Sequence, residues 1–179
     1  MQDATALDRQ HPDVDGTNML TTENLDDMYL SFSIGAEEYA VGIRQVVEIV
    51  GLPRIMAVPD LPNYIKGVIN LRGKVIPLLD VRLRFRMDPK DYDERTVVIV
   101  MDVDNAPIGL IVDGVTEVRE IAPNDIRKNA SSQVKGAQSA IHGLGRVGQN
   151  VIVILDAAVL TSDCEIVMAD AGASVKENA

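Results

Sequence analysis

The chain has 179 residues, enough for one domain or two very small ones, with 46% hydrophobic and 25% charged residues. With no Trp and two Phe, its core falls to Val, Ile and Leu, which favours strands. A net charge of −10 and few aromatic rings argue against a protein that grips phosphate backbones or stacks bases.

Residues 1–28 hold seven acids (Asp3, Asp8, Asp13, Asp15, Glu23, Asp26, Asp27) and one base, Arg9, giving −6. The segment lacks apolar periodicity and reads as a disordered acidic leader. It has no basic start and no apolar stretch, so it is not a signal peptide. Leu30, Phe32 and Ile34 then alternate with Tyr29, Ser31 and Ser33, the period of a half-buried strand. Gly35-Ala36-Glu37 turns the chain back, and strand-like runs follow at 39–43, 46–50, 75–81, 96–101, 108–112, 115–121 and 151–155. Pro62 and Gly67 predict a short helix over 62–66. Pro77 cannot donate to a ladder, so its strand is expected at a sheet edge or beside a bulge. The charged stretch 88–95 interrupts the apolar pattern, and Asp104-Asn105 marks a hairpin. A short helix near 164–171 and a frayed tail complete residues 162–179.

The sequence repeats itself. Residues 39–49 align with 108–118 at an offset of 69, matching Glu48 with Glu117. Residues 65–68 align with 141–144, and 76–80 with 152–156, both at an offset of 76. Three matches in one order indicate two copies of a small β unit. Each copy is marginal alone. Asp80 and Asp156 recur as partners, which favours capping over catalysis. Gly67 and Gly143 recur too, and read as turns with positive φ.

No reactive constellation accompanies these elements. The single Cys164 excludes an intrachain disulfide and fits a reducing compartment. Together with His11 and His142 it gives no zinc spacing. There is no phosphate-binding loop, no Gly-x-Ser-x-Gly elbow and no run of about 18 apolar residues. The chain is expected to be a cytoplasmic non-enzyme without metal, cofactor, nucleic acid or membrane insertion.

Two stretches stand out: Leu61-Pro62-Asn63-Tyr64-Ile65-Lys66-Gly67-Val68-Ile69, then Asn70-Leu71-Arg72-Gly73-Lys74-Val75-Ile76-Pro77-Leu78-Leu79-Asp80-Val81-Arg82. A turn bracketed by Asn70 and Gly73 projects Arg72, a residue type that anchors partner interfaces. Glu48 interrupts the apolar run 46–50, as a solvent-facing alternation or as a carboxylate paired with Arg72. This pattern resembles the CheW family, the scaffolds that couple chemoreceptors to the chemotaxis kinase. The resemblance covers approximately residues 29–161. It implies receptor binding through Arg72 and Glu48, with Val46, Gly67 and Asn70 beside them. It leaves the kinase-contact residues unassigned.

The fold expected is all-β: two pseudo-repeated, five-stranded SH3-like β-barrels packed together, with short helices. Barrel one spans about 29–90 and barrel two about 91–161, with strand exchange between them an open alternative. The implied partners are the regulatory domain of the histidine kinase CheA and methyl-accepting chemotaxis receptors, at receptor arrays on the inner face of the membrane. The runner-up is an SH3-like interaction module of a related pathway, similar to CheV without its receiver. A small-molecule enzyme ranks last.

Overall fold

The computed structural model describes residues 22–128 and 136–164. Its strands are β1 (Met28–Ile34), β2 (Glu37–Gly42), β3 (Val46–Gly51), β4 (Ile65–Leu71), β5 (Lys74–Asp80), β6 (Val97–Val103), β7 (Ala106–Val112), β8 (Gly114–Glu120), β9 (Ile126–Lys128), β10 (Ile141–Val147) and β11 (Asn150–Leu155). Helix α1 (Val81–Arg84) follows β5, and α2, described over 157–164, follows β11. The fold is all-β, as composition predicts. The strands form one sheet in the order β3-β6-β7-β5-β4 and another in the order β8-β1-β2-β11-β10-β9.

Neither sheet is a contiguous half of the chain. Hairpin β1–β2 lies with β8–β11, and hairpin β6–β7 lies with β3–β5. The sheets therefore cut across the 90/91 division. The burial pattern explains why. Val98 and Val100 on β6 face one apolar cluster with Ile69, Ile76 and Leu78, while Ile99 and Met101 face another with Phe32, Leu79 and Leu155. A strand apolar on both faces must sit between two cores, and placing each hairpin in the opposite half's sheet does this.

The repeat is reproduced in the ladders. Leu78–Asp80 run parallel to Gly109–Ile111, and at the matching positions Ile154 and Leu155 pair with Ala40 and Val41. Glu48 faces Val100 as Glu117 faces Ser31, each beside a bulge. Each sheet also joins its two edges. Beyond β3 the chain reaches β4, where Met56 and Val68 exchange backbone hydrogen bonds of 2.8 and 3.0 Å. Beyond β8 it becomes β9, which pairs with β10. Both closures are consistent with SH3-like barrels. The second sheet has six strands rather than five because β9 is a true strand. Pro53 and Pro59 interrupt the equivalent segment, where a single bridge forms.

Several local expectations are corrected. Residues 62–66 are not a helix: Ile65 donates to the Pro62 carbonyl at 3.0 Å in one turn and then enters β4. Gly67 lies at a bulge inside that strand, and Gly143 at the matching bulge in β10. Gly67 has φ 137°, and a Cβ on it would stand 2.2 Å from the Met56 carbonyl oxygen. A Cβ on Gly143 would stand 2.6 Å from the Arg127 carbonyl. These glycines admit the closing segment rather than ending a helix. β5 is an interior strand, so of the two settings expected for Pro77 the bulge is the one realised: Pro77 pairs with Val68, next to the register shift at Ile65/Gly67, and precedes the parallel ladder, which begins at Leu78.

The leader is not disordered through residue 28. Thr22–Asp27 form a short 3-10 turn, Asp26 pairs with Arg44, and the Asp27 carbonyl accepts the Ile121 N–H at 2.8 Å. Residues 1–21 lie outside the described residues. Helix α2 starts at 157, before the expected 164, because Asp156 accepts the Val159 N–H at 3.1 Å, as Asp80 accepts the Leu83 N–H at 3.1 Å. Residues 165–179, with the rest of the expected helix and tail, lie outside the described residues. Asp113, the one residue between β7 and β8, joins the sheets: it accepts the Gly35 N–H at 2.7 Å and pairs with Arg82.

Candidate functional site

The β4–β5 hairpin turns through two residues, Arg72 (φ 51°) and Gly73 (φ 83°). Left-handed values at both central positions match the twist of the flanking strands. Asn70 secures the turn, its Oδ1 accepting the Gly73 N–H at 2.9 Å. The left-handed backbone costs Arg72 roughly 1 kcal/mol or more.

Closure of the sheet carries this tip to β3. There the Arg72 guanidinium grips Glu48 with both forks, Nη1 to Oε1 at 2.6 Å and Nη2 to Oε2 at 2.5 Å. The Arg72 side chain remains 71% exposed and that of Glu48 23% exposed. The paired reading of Glu48 is thus the one realised. The hydrogen bonds from Arg72 hold the Glu48 carboxyl below its ordinary value and raise the Arg72 guanidinium. With a folded value below the unfolded one, the Glu48 contribution is present above the usual carboxylate range and lost as pH falls through the depressed value. The carboxyl carbon of Glu48, followed by NMR, should therefore titrate below a free glutamate. In Arg72→Ala it should return to the ordinary range; an unchanged titration would refute the coupling. Screened by water, the pair positions Arg72 more than it stabilises the fold.

The other expected residues are placed differently. Asn70 is exposed beside the turn, with Val75 opposite it across the hairpin. Val46 is half-buried against the central core. Gly67 is buried beneath Met56. Neither offers an exposed side chain. The exposed apolar neighbours on β3 are Val47 and Ile49. Sequence reasoning missed these, and also a cavity of about 310 Å³ next to Val75, lined by Pro77, Val103, Ile108, Thr161 and Cys164. The signal for Val47 and Ile49 was the bulge at Val46/Glu48, which only pairing with β6 reveals.

The second half has no copy of this arginine. The position matching Arg72 is Gly148, and Glu117 is bound by Arg119 from its own strand, which also contacts Glu38 at 3.0 Å. The exposed, tethered arginine belongs to one half alone. Among the described residues no group of His, Cys, Asp and Glu is arranged to hold a metal ion. No described helix is long and apolar enough to cross a membrane.

Comparison with known proteins agrees with this arrangement. The CheW-like domain model matches residues 28–165. The chain is 35% identical over 151 residues to chemotaxis protein CheW of Klebsiella aerogenes, covering 84% of this chain and 91% of that one. It is 32% identical over 127 residues to CheW of Helicobacter pylori, covering 71% and 76%. Among solved structures, the scaffolding protein CheW of Thermoanaerobacter tengcongensis superposes with a TM-score of 0.68 at 30% identity, covering 73% of this chain and 89% of that one. The chain belongs to the CheW family and is an adaptor of chemotaxis signalling, not an enzyme.

Proposed function

We propose that this adaptor joins the cytoplasmic tip of a methyl-accepting chemoreceptor to the regulatory domain of the histidine kinase CheA, at receptor arrays on the inner face of the membrane. The receptor surface is the exposed part of β3 with the β4–β5 turn: Arg72 and Glu48 at its centre, Asn70, Val47 and Ile49 along the same strand and turn, and Val46 and Gly67 as underlying support. The observation that carries this reading is a mostly exposed arginine, clamped by two hydrogen bonds on a rigid turn. An arginine held in place loses less freedom on binding than a free one, and arginines of this kind dominate interface energies. The apolar cavity beside Val75 is suited to receive side chains from a receptor helix. Joining two partners on one rigid body raises their effective concentration.

The test is co-precipitation with CheA and a receptor cytoplasmic fragment. Wild type should bind both. Arg72→Glu places two carboxylates together, and should keep CheA while weakening receptor binding about thirtyfold or more. Equal loss of both partners would show that the substitution acts on the fold. Retention of receptor binding would remove Arg72 from the surface.

A further inference from the structure

Because the halves are repeats, the cleft beside Val75 has a counterpart. Pro77, Ile108 and Thr161 wall the first cleft, and their repeat partners Val153, Tyr39 and Phe85 wall a second cavity of about 470 Å³. Met87 and Ile141 add apolar walls beside the polar Gln138, and its rim has changed. Arg84 and Arg86 stand where the other half has Leu160 and Ser162. A further cavity of about 460 Å³, lined by Tyr64, Leu83 and Pro89, shares these arginines and Met87. Among the described residues no carboxylate lines either cavity, in a chain whose net charge is −10.

The two arginines differ. Arg84 is engaged: Nη2 meets Asp163 at 3.0 Å, Nε donates to the Leu160 carbonyl at 3.3 Å, and the guanidinium lies 4.7 Å from the Tyr64 ring centre. Arg86 is exposed, and its side chain has no hydrogen bond or ion pair among the described residues. It also sits at φ 59°, fixed by the bonds from Arg86 N–H to the Leu83 carbonyl at 2.9 Å and from Met87 N–H to the Arg82 carbonyl at 3.0 Å. A left-handed arginine is disfavoured unless its surroundings impose it. Here the turn holds a cation with no ion-pair partner among the described residues, between two hollows of mixed polar and apolar lining.

We propose that Arg86 and the cavities flanking it form a docking site for an acidic segment of a partner protein, one that sets a carboxylate on Arg86 and an apolar side chain into each cavity. Arginine pairs with carboxylates through two parallel hydrogen bonds. The net charge of −10 weakens non-specific attraction of such a segment to the chain, so the apolar contacts beside Arg86 set its position. The site is distinct from the Arg72 surface and does not depend on the receptor reading.

The probe is a short fluorescein-labelled peptide of aspartate interleaved with leucine and phenylalanine, with a control carrying asparagine for each aspartate. Anisotropy titrations use the full chain. Saturable binding of the acidic peptide is expected, weakened at least about tenfold by Arg86→Glu and by the asparagine control, and unchanged by Arg72→Glu. Amide NMR shifts should move at Phe85, Met87 and Val153. The proposal is overturned by no saturation up to about 1 mM peptide, by equal binding of the control, by an indifferent Arg86→Glu, or by shifts centred on Val75 and Ile108.

Discussion

A chain cleaved between Lys90 and Asp91 should stay folded as two associated pieces, while either piece alone shows no cooperative unfolding. The reason is the exchange of hairpins. Without β6–β7, strand β3 loses its antiparallel partner and β5 its parallel one. Without β1–β2, strands β8 and β11 lose theirs. Each piece would be left with unpaired edges and half of the central cluster that packs Phe32 and Leu30 against Ile99 and Met101. Units of this size, about 70 residues, bury little surface even when intact. Circular dichroism with urea titration would show flat, non-cooperative curves for the separate pieces. Mixing them should restore one transition whose midpoint rises with concentration. A dispersed NMR spectrum from either piece alone would contradict the interdependence of the halves.

The second large effect is expected at Gly67→Val. A Cβ there would meet the Met56 carbonyl oxygen at 2.2 Å and the Ile55 side chain at 3.0 Å, on a backbone of φ 137° that side chains rarely adopt. The collision is with backbone, so no rotamer change relieves it, and the strand that closes the sheet must move away. Overpacking and backbone strain together should cost about 3 kcal/mol or more. For a chain of this size that is a fall in melting temperature of roughly 6–12 °C. Gly143→Val, where the Cβ would meet the Arg127 carbonyl at 2.6 Å, should cost less. A Gly67→Val protein with unaltered melting temperature and lost receptor binding would instead make Gly67 a direct contact.

The repeat was legible because its offsets of 69 and 76 recur with Glu48 matching Glu117 and Asp80 matching Asp156. What it could not convey was which hairpin completes which sheet. Local patterns are the same whether a hairpin pairs within its own half or with the other, and only the two-faced burial of Val98 to Met101 decides. β4 and β10 were obscured for a related reason. Gly67 and Gly143 are read as punctuation, yet they, like Gly145, sit in strands where another backbone or side chain needs the room. The candidate site was more readable. The turn from Asn70 to Gly73 carries its chemistry in adjacent residues, and a charge amid valines asks for a partner. That Val46 and Gly67 lie beneath the surface was hidden, because burial there depends on the crossing of Met56 and on the central core.

The reciprocal hairpins have a consequence for symmetry. Two copies of one unit trading hairpins have the geometry of a domain-swapped homodimer, and the present chain has that layout within a single polypeptide, its halves joined through residues 85–96. Twin subunits of a homodimer must share every residue, whereas the halves of one chain need not. One half carries Arg72 where the other carries Gly148, and the other half's Glu117 is bound by Arg119. A symmetric assembly can only present the same face twice, while this tethered pair presents two different faces.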